Sequence, residues 1–309
     1  MRFGFLPFAS RSPTVTLTVD QIRSFREKGF LTLDAITTPD EIAMLRVVFE
    51  RLVRAKAGFE EGAQFDLVGA DECAVAPKLL QIMNPIFYAP ELRDTLFRAN
   101  ALSIAKQLLG KDASPFFEHA ILKPAYIGHA TPWHQDEAYR VDPGYEYRQL
   151  GFWMPLLNAT PENGCMHYIA GTHRGEVLPH RSPNDDPKVH ALECFSGFDP
   201  ALAVACPLPA GGCTIHDGRT LHYAGPNKSH NQRWAYILDF DLPPRRSIER
   251  REFPWHDGKR SADLARKKKW LRRGGLAVLF WRILRNGLPK NRLRLSYLTR
   301  RAWRSIHDS

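Results

Sequence analysis

A chain of 309 residues, 44% hydrophobic and 11% aromatic, is long enough to bury one large core or two small ones, and its composition is not that of a disordered or fibrous protein. Five cysteines, an odd number with no C-x-x-C pair, fit reduced and mostly buried thiols and argue against a disulfide framework. The net charge of +10 is uneven, because twenty Lys or Arg stand against six Asp or Glu from Asp241 to Ser309.

The opening "MRFGFLPFASRSP" has a short apolar stretch broken by Pro7, unlike a secretory signal. No stretch approaches the ~18 uncharged apolar residues of a membrane-spanning helix, so a cytoplasmic protein is expected. "TVDQIRSFREKGF" places Ile22 and Phe25 on one helical face and ends at Gly29, a natural C-terminal cap. "FLTLDA" reads as a short strand. In "TTPDEIAMLRVVFERLVRA" Thr38 is the expected N-cap, Pro39 the first helical residue and Glu41 the partner that completes a capping box. Ile42, Leu45, Phe49 and Leu52 then share one face, and "APELRDTLFRANALSIAKQLLG" reads as a further helical pair closed by Gly110.

From about residue 115 to 243 the texture changes to short apolar runs separated by Pro, Gly, Asn and Asp. That spacing predicts a mainly β core, a double-sheet jelly roll flanked by the N-terminal helices. One domain is expected over 1–244, with a helical part at 15–112 and the jelly-roll core at about 113–244, followed by a basic, aromatic-rich extension over 245–309.

"TPWHQDEAYR" carries the chemistry. Residues i and i+2 of a strand point to one face, so His134 and Asp136 project together while Trp133 and Gln135 turn away. An imidazole and a carboxylate are two-thirds of the facial triad of non-haem Fe(II) oxygenases. His216 and His222 are both candidates for the third ligand; His216 precedes an Asp-Gly turn and suits a strand-end or supporting position. In "RWAYILDF" the alternation groups Arg233, Ala235 and Ile237 on one face and Trp234, Tyr236 and Leu238 on the other. An inward arginine is costly unless it meets a carboxylate, and its planar fork suits the distal carboxylate of 2-oxoglutarate. No G-x-S-x-G elbow supports a serine hydrolase.

Together "PWHQDEAY", "GFWMPLLNATPENGCMHYIAGTHRG" and "IHDGRTLHYAGPNKSHNQRWAY", in that order, resemble the phytanoyl-CoA dioxygenase family of Fe(II)/2-oxoglutarate oxygenases. The likeness extends over about residues 15 to 242. It implies a double-stranded β-helix of the cupin type, Fe(II), 2-oxoglutarate and O2 as cofactor and cosubstrates, and His134, Asp136 and His222 as iron ligands. It further implies Arg233 as the 2-oxoglutarate anchor, with Trp153 and Gln135 as further cosubstrate-binding candidates. Related halogenases replace the carboxylate ligand with a small residue, so Asp136 favours hydroxylation or another oxidative outcome over halogenation; the expected reaction is hydroxylation of an unactivated C–H bond, with release of succinate and CO2. Ala224 departs from members that carry a hydroxyl residue there, which keeps a non-catalytic, ligand-binding jelly roll as the alternative. "TPENG" reads as a turn, His167, His173 and His180 as strand-end or loop residues, and the polar stretch 180–197 as a lid or a passive insertion.

The extension alternates basic clusters with Trp, Phe and Leu. "LAVLFWRIL", bracketed by "RRGG" and "RNGLP", suits an interfacial helix, so peripheral contact with the inner face of an anionic membrane is expected through residues 266–304. Nucleic acid is the less favoured partner for this segment, and helices simply packed on the jelly roll are the competing reading. The substrate is expected to be a small or lipid-like molecule.

Overall fold

The computed structural model describes residues 11–70, 77–249 and 251–285. Cys73 and residues 286–304 of the expected membrane segment lie outside them. In chain order the elements begin with α1 (Val19–Lys28), β1 (Phe30–Leu33), α2 (Pro39–Arg54), β2 (Gln64–Asp66), β3 (Leu80–Met83), α3 (Leu96–Leu109) and β4 (Ser114–Lys123). They continue with β5 (Thr131–His134), β6 (Tyr145–Glu146), β7 (Gln149–Pro155), β8 (Met166–Ile169), β9 (His180–Arg181), β10 (Glu193–Cys194) and β11 (Ala203–Cys206). Last come β12 (Cys213–Asp217), β13 (His222–Ala224), β14 (Arg233–Asp241), β15 (Arg245–Arg246), α4 (Ala262–Trp270) and α5 (Leu276–Arg285).

Seven strands form the larger sheet in the order β1-β12-β7-β14-β4-β3-β2, and β11-β8-β13-β5 form the smaller one. Strands β7 and β14 are buried along their whole length, so each serves two cores. On one face Phe152, Met154, Trp234 and Tyr236 pack against Leu45 and Phe49 of α2 and Phe97 of α3. On the other, Trp153, Ala235 and Ile237 meet Met166, Tyr168 and Ala224 of the smaller sheet. The fold is the expected jelly roll, with helices covering the outer face of its larger sheet. Side-chain alternation on β14 is as the sequence predicts, and it aims Arg233 into the space between the sheets.

The N-terminal helices start as expected, with one exception. Thr18 and Gln21 close a reciprocal capping box on α1, and Gly29 ends it at φ 83°. Thr38 accepts from the Glu41 amide on α2, but Glu41 does not complete a box there. Its carboxylate instead accepts the Leu96 and Phe97 amides at 2.6 and 2.9 Å, capping α3 from fifty-five residues away. Between these layers the buried Arg98 pairs with Glu118 and donates to Tyr236 Oη at 2.9 Å, so both charges are partnered.

The stretch 180–197 contains a two-stranded pair, β9 with β10. It is pinned from the C-terminal extension: Lys259 Nζ donates to the carbonyls of Val189, His190 and Ala191 at 2.7, 3.1 and 2.9 Å. No helix among the described residues is long and apolar enough to cross a membrane.

Candidate metal centre

Two paired strands and one tight turn build the site. β13 runs antiparallel to β5 with His222 opposite His134, and the two rings lie 4.1 Å apart, centroid to centroid. β5 ends at His134, so Asp136 is not a strand residue as the i, i+2 reading had it. Gln135 stays extended (φ −116°, ψ 132°), which returns Asp136 to the same side at the head of a 3₁₀ turn, Asp136–Tyr139. Asp136 Oδ1 lies 3.6 Å from both His134 Nε2 and His222 Nε2. Ligand atoms of the three residues all lie within 4.8 Å of one another, a spacing suited to one metal ion.

Both histidines are presented in one tautomer. His134 Nδ1 donates to Pro132 O at 2.7 Å and His222 Nδ1 to Thr220 O at 2.8 Å, so each Nε2 lone pair faces the centre. Burial, then the neighbouring His134 and His216, hold His222 well below the ordinary imidazole range. Burial opposes ionisation of Asp136, but His222, His134 and His216 outweigh it and keep the carboxyl well below its usual value. Two neutral imidazoles and one carboxylate match the donor set that suits Fe(II).

His216 stands behind the carboxylate. Its Nε2 donates to Asp136 Oδ2 at 2.9 Å, and a neutral ring then accepts the Tyr168 hydroxyl at Nδ1, 3.2 Å away. The supporting position anticipated for this residue is where the structure puts it. Gly151 lies in register between Asp239 on β14 and His216 on β12, and a Cβ there would stand 2.6 Å from the His216 ring and 3.3 Å from Asp136 Oδ2. The close approach of the His216 ring to the backbone requires glycine at that position.

Arg233 is almost fully buried, and its Nε and Nη1 have no hydrogen-bond partner. Its guanidinium lies 5.1 Å from the centroid of Trp153, and burial lowers its pKa to about 10, which leaves it charged at neutral pH. A buried cation with unsatisfied donors between the sheets calls for a carboxylate. The adjacent Lys123, its register partner on β4, spends its ammonium on the carbonyls of Ala224 and Gly225 at 2.9 and 2.5 Å.

Gln135 is placed otherwise than expected. Its amide donates to Glu176 O and Arg219 O at 3.2 and 2.7 Å and accepts the Leu178 amide at 2.7 Å. These bonds commit the side chain to the chain itself, so it braces the turn between the ligands and is not directed at a cosubstrate. His180 adds to the brace: its Nε2 accepts the Gln135 amide at 3.2 Å.

The extension supplies contacts that composition alone concealed. Arg251 Nη1 pairs with Glu137 Oε1 at 2.5 Å, beside Arg219 Nε at 2.6 Å from Glu137 Oε2. Trp255 Nε1 and His256 Nε2 both donate to Ala138 O at 2.8 Å. The 3₁₀ turn that carries Asp136 is thus held by residues more than a hundred positions downstream. In the sequence these residues fall within the basic extension, where Trp255 and His256 after Pro254 are the local hint of an anchored turn.

Comparisons with known proteins establish the family. The family model described as phytanoyl-CoA dioxygenase matches residues 25–235. A probable alpha-ketoglutarate-dependent hypophosphite dioxygenase of Stutzerimonas stutzeri is 25% identical over 228 residues, covering 72% of this chain and 77% of that one. The peroxisomal phytanoyl-CoA dioxygenase of Mus musculus is 24% identical over 242 residues, covering 72% and 68%. Among solved structures, EvdO2 from Micromonospora carbonacea var. aurantiaca complexed with 2-oxoglutarate is 37% identical with a TM-score of 0.68, covering 80% of this chain and 100% of that one. The chain belongs to the phytanoyl-CoA dioxygenase family and is an Fe(II)- and 2-oxoglutarate-dependent dioxygenase.

Proposed function

We propose that the enzyme hydroxylates an unactivated C–H bond of a small or amphipathic organic substrate, with one O2 and one 2-oxoglutarate giving the alcohol, succinate and CO2. The observation that carries this reading is the triad His134, Asp136 and His222 facing the same inter-sheet space as the unsatisfied, buried guanidinium of Arg233. In this reading the three residues hold the iron and Arg233 takes the distal carboxylate of the cosubstrate through its fork. Trp153 supports the guanidinium with its ring face, 5.1 Å away. Iron held there would activate O2, with the keto acid as two-electron donor, which is oxidising chemistry that no side chain can supply.

The chain's own residues perform the rest. His134 and His222 aim Nε2 at the centre because Nδ1 of each is tied to a backbone carbonyl. His216 holds one oxygen of Asp136, which orients the carboxylate toward the two imidazoles. Trp153, Ile237 and Tyr168 give the space between the sheets an apolar lining. Asp136 itself favours hydroxylation, since it fills the position that a halide would need.

Anaerobic titration of the metal-free protein with Fe(II) and 2-oxoglutarate tests the assignment. The visible charge-transfer band of an iron–keto-acid chelate should form in the wild type and vanish in His134→Ala, and air should then release succinate. Absence of both iron and 2-oxoglutarate binding in folded wild-type protein would overturn the reading. Screening metabolite extracts for stimulated 2-oxoglutarate consumption then identifies the substrate class.

A further inference from the structure

Helix α5 turns Arg282 inward, beside the half-buried Leu279 and Ile283, and leaves an apolar face exposed. Arg282 turns toward the body, pairing with Glu61 at 2.5 and 3.0 Å and lying 5.0 Å from the Tyr88 ring. Leu276, Val278, Phe280 and Trp281 face outward and are 42% to 56% exposed. A helix that only stabilises a globular core leaves no such face to solvent. Four large apolar side chains, two of them aromatic, on one exposed helix mark a surface that meets another phase or partner.

The charges beside it identify the phase. Helix α4 is fixed to the body: Arg266 Nε donates to Phe59 O at 3.0 Å, and Asp263 pairs with His190 at 2.9 Å. It delivers Lys269, Arg272 and Arg273 to the surface next to α5, all exposed and without a carboxylate partner among the described residues. Gly274, at φ 95°, turns the chain between this cationic patch and the apolar helix. Cations at headgroup depth with Phe and Trp beyond them are the arrangement of an interfacial helix on an anionic bilayer.

Other occupants fit less well. Residues 286–309 carry six Lys or Arg against one acidic residue, so folding them onto the patch would crowd like charge. A second copy would bring the same cations against each other. A nucleic acid would satisfy the cations and stack on the aromatic rings but leave Leu276 and Val278 wet. We propose that α5 and the cationic turn before it form a docking surface for an anionic lipid bilayer, holding the dioxygenase at the membrane–water boundary. This inference does not depend on the residue roles proposed for the metal centre.

Sedimentation of the full chain with vesicles decides it. Wild type should pellet with phosphatidylcholine vesicles containing roughly one-third phosphatidylglycerol and stay in solution with phosphatidylcholine alone. The double variant Phe280→Glu/Trp281→Glu should bind the anionic vesicles at least about tenfold more weakly, as should Arg272→Glu/Arg273→Glu, while succinate formation without lipid is unchanged. The proposal is overturned if the apolar variant pellets like wild type, or if neutral and anionic vesicles bind alike. It is also overturned if light scattering shows that Phe280→Glu/Trp281→Glu splits an oligomer, or if only an oligonucleotide binds.

Discussion

His216 Nε2 lies 2.9 Å from Asp136 Oδ2, while the other oxygen of the same carboxylate lies 3.6 Å from His134 and His222. One carboxylate thus divides its two oxygens between a supporting imidazole and the candidate ligand set. His216→Phe should keep the fold yet lower iron affinity roughly ten- to a hundredfold, because Asp136 loses the donor that orients it. Equilibrium dialysis of iron against the variant, beside a thermal melt, separates affinity from stability; unchanged affinity would remove the supporting role.

Gly151 sets the space for that pair. Gly151→Ala would place a methyl group 2.6 Å from the His216 ring. The expected result is a stability loss of about 1–3 kcal/mol, as for overpacking, together with weakened iron binding. Denaturant unfolding and iron titration of the one variant measure both effects, and a wild-type profile would show that the sheet relaxes freely.

The extension's brace gives a prediction confined to the turn it touches. Trp255→Phe combined with Arg251→Met removes one donor from Ala138 O and one of two cations from Glu137. Stability should fall by about 2 kcal/mol and iron affinity by roughly tenfold. Lys259→Met, which unpins residues 189–191 instead, should affect stability with iron affinity retained. Equal effects of the two changes on iron binding would refute a brace specific to Asp136.

Arg233→Lys tests the cosubstrate anchor. The ammonium keeps the charge but not the fork, so 2-oxoglutarate affinity should fall roughly ten- to a hundredfold while iron binding without it stays as in wild type. Equilibrium dialysis of iron without the keto acid gives one constant, and the charge-transfer titration with it gives the other. A variant that binds 2-oxoglutarate as tightly as the parent would place the anchor elsewhere.

Besides His222, two buried imidazoles outside the ligand set contribute to the acid dependence of stability. Burial is the largest influence lowering His119 and His180 to about 4 from an ordinary 6.5, so the folded protein resists protonating them while the unfolded chain does not. Between pH of about 6.5 and 4 the unfolded state binds more protons, hence stability rises with pH across that window and is lost as pH falls through it. Each group contributes at most roughly 3 kcal/mol, and above the window neither contributes. Urea midpoints of metal-free protein measured across this range should show a steep slope, made shallower by His119→Phe. An identical slope in the variant would exclude His119 as a source.

What was legible in the sequence was local. Alternation placed Arg233, Ala235 and Ile237 on one side of β14 because a strand has period two whatever surrounds it. The spacing of His134 and Asp136 worked for a related reason, since Gln135 is extended even though the strand has ended. What was not legible was where long-range partners come from. Glu41 is three residues after an N-cap and invites a capping box, yet α3 offers its carboxylate two bare amides in a buried place. Gln135 sits between two ligands, and only the fold reveals that Glu176, Leu178 and Arg219 claim its amide. Arg251 and Trp255 lay in a segment whose net charge drew attention away from individual hydrogen bonds.

The place of the brace in the chain has a consequence for truncation. Both sheets are complete in sequence by Asp241, but Arg251, Trp255 and His256 leave the ribosome after every strand that carries a candidate ligand. A chain cut after Asp241 would keep the strands that carry His134 and His222 but lose the contacts that tie down the Asp136 turn.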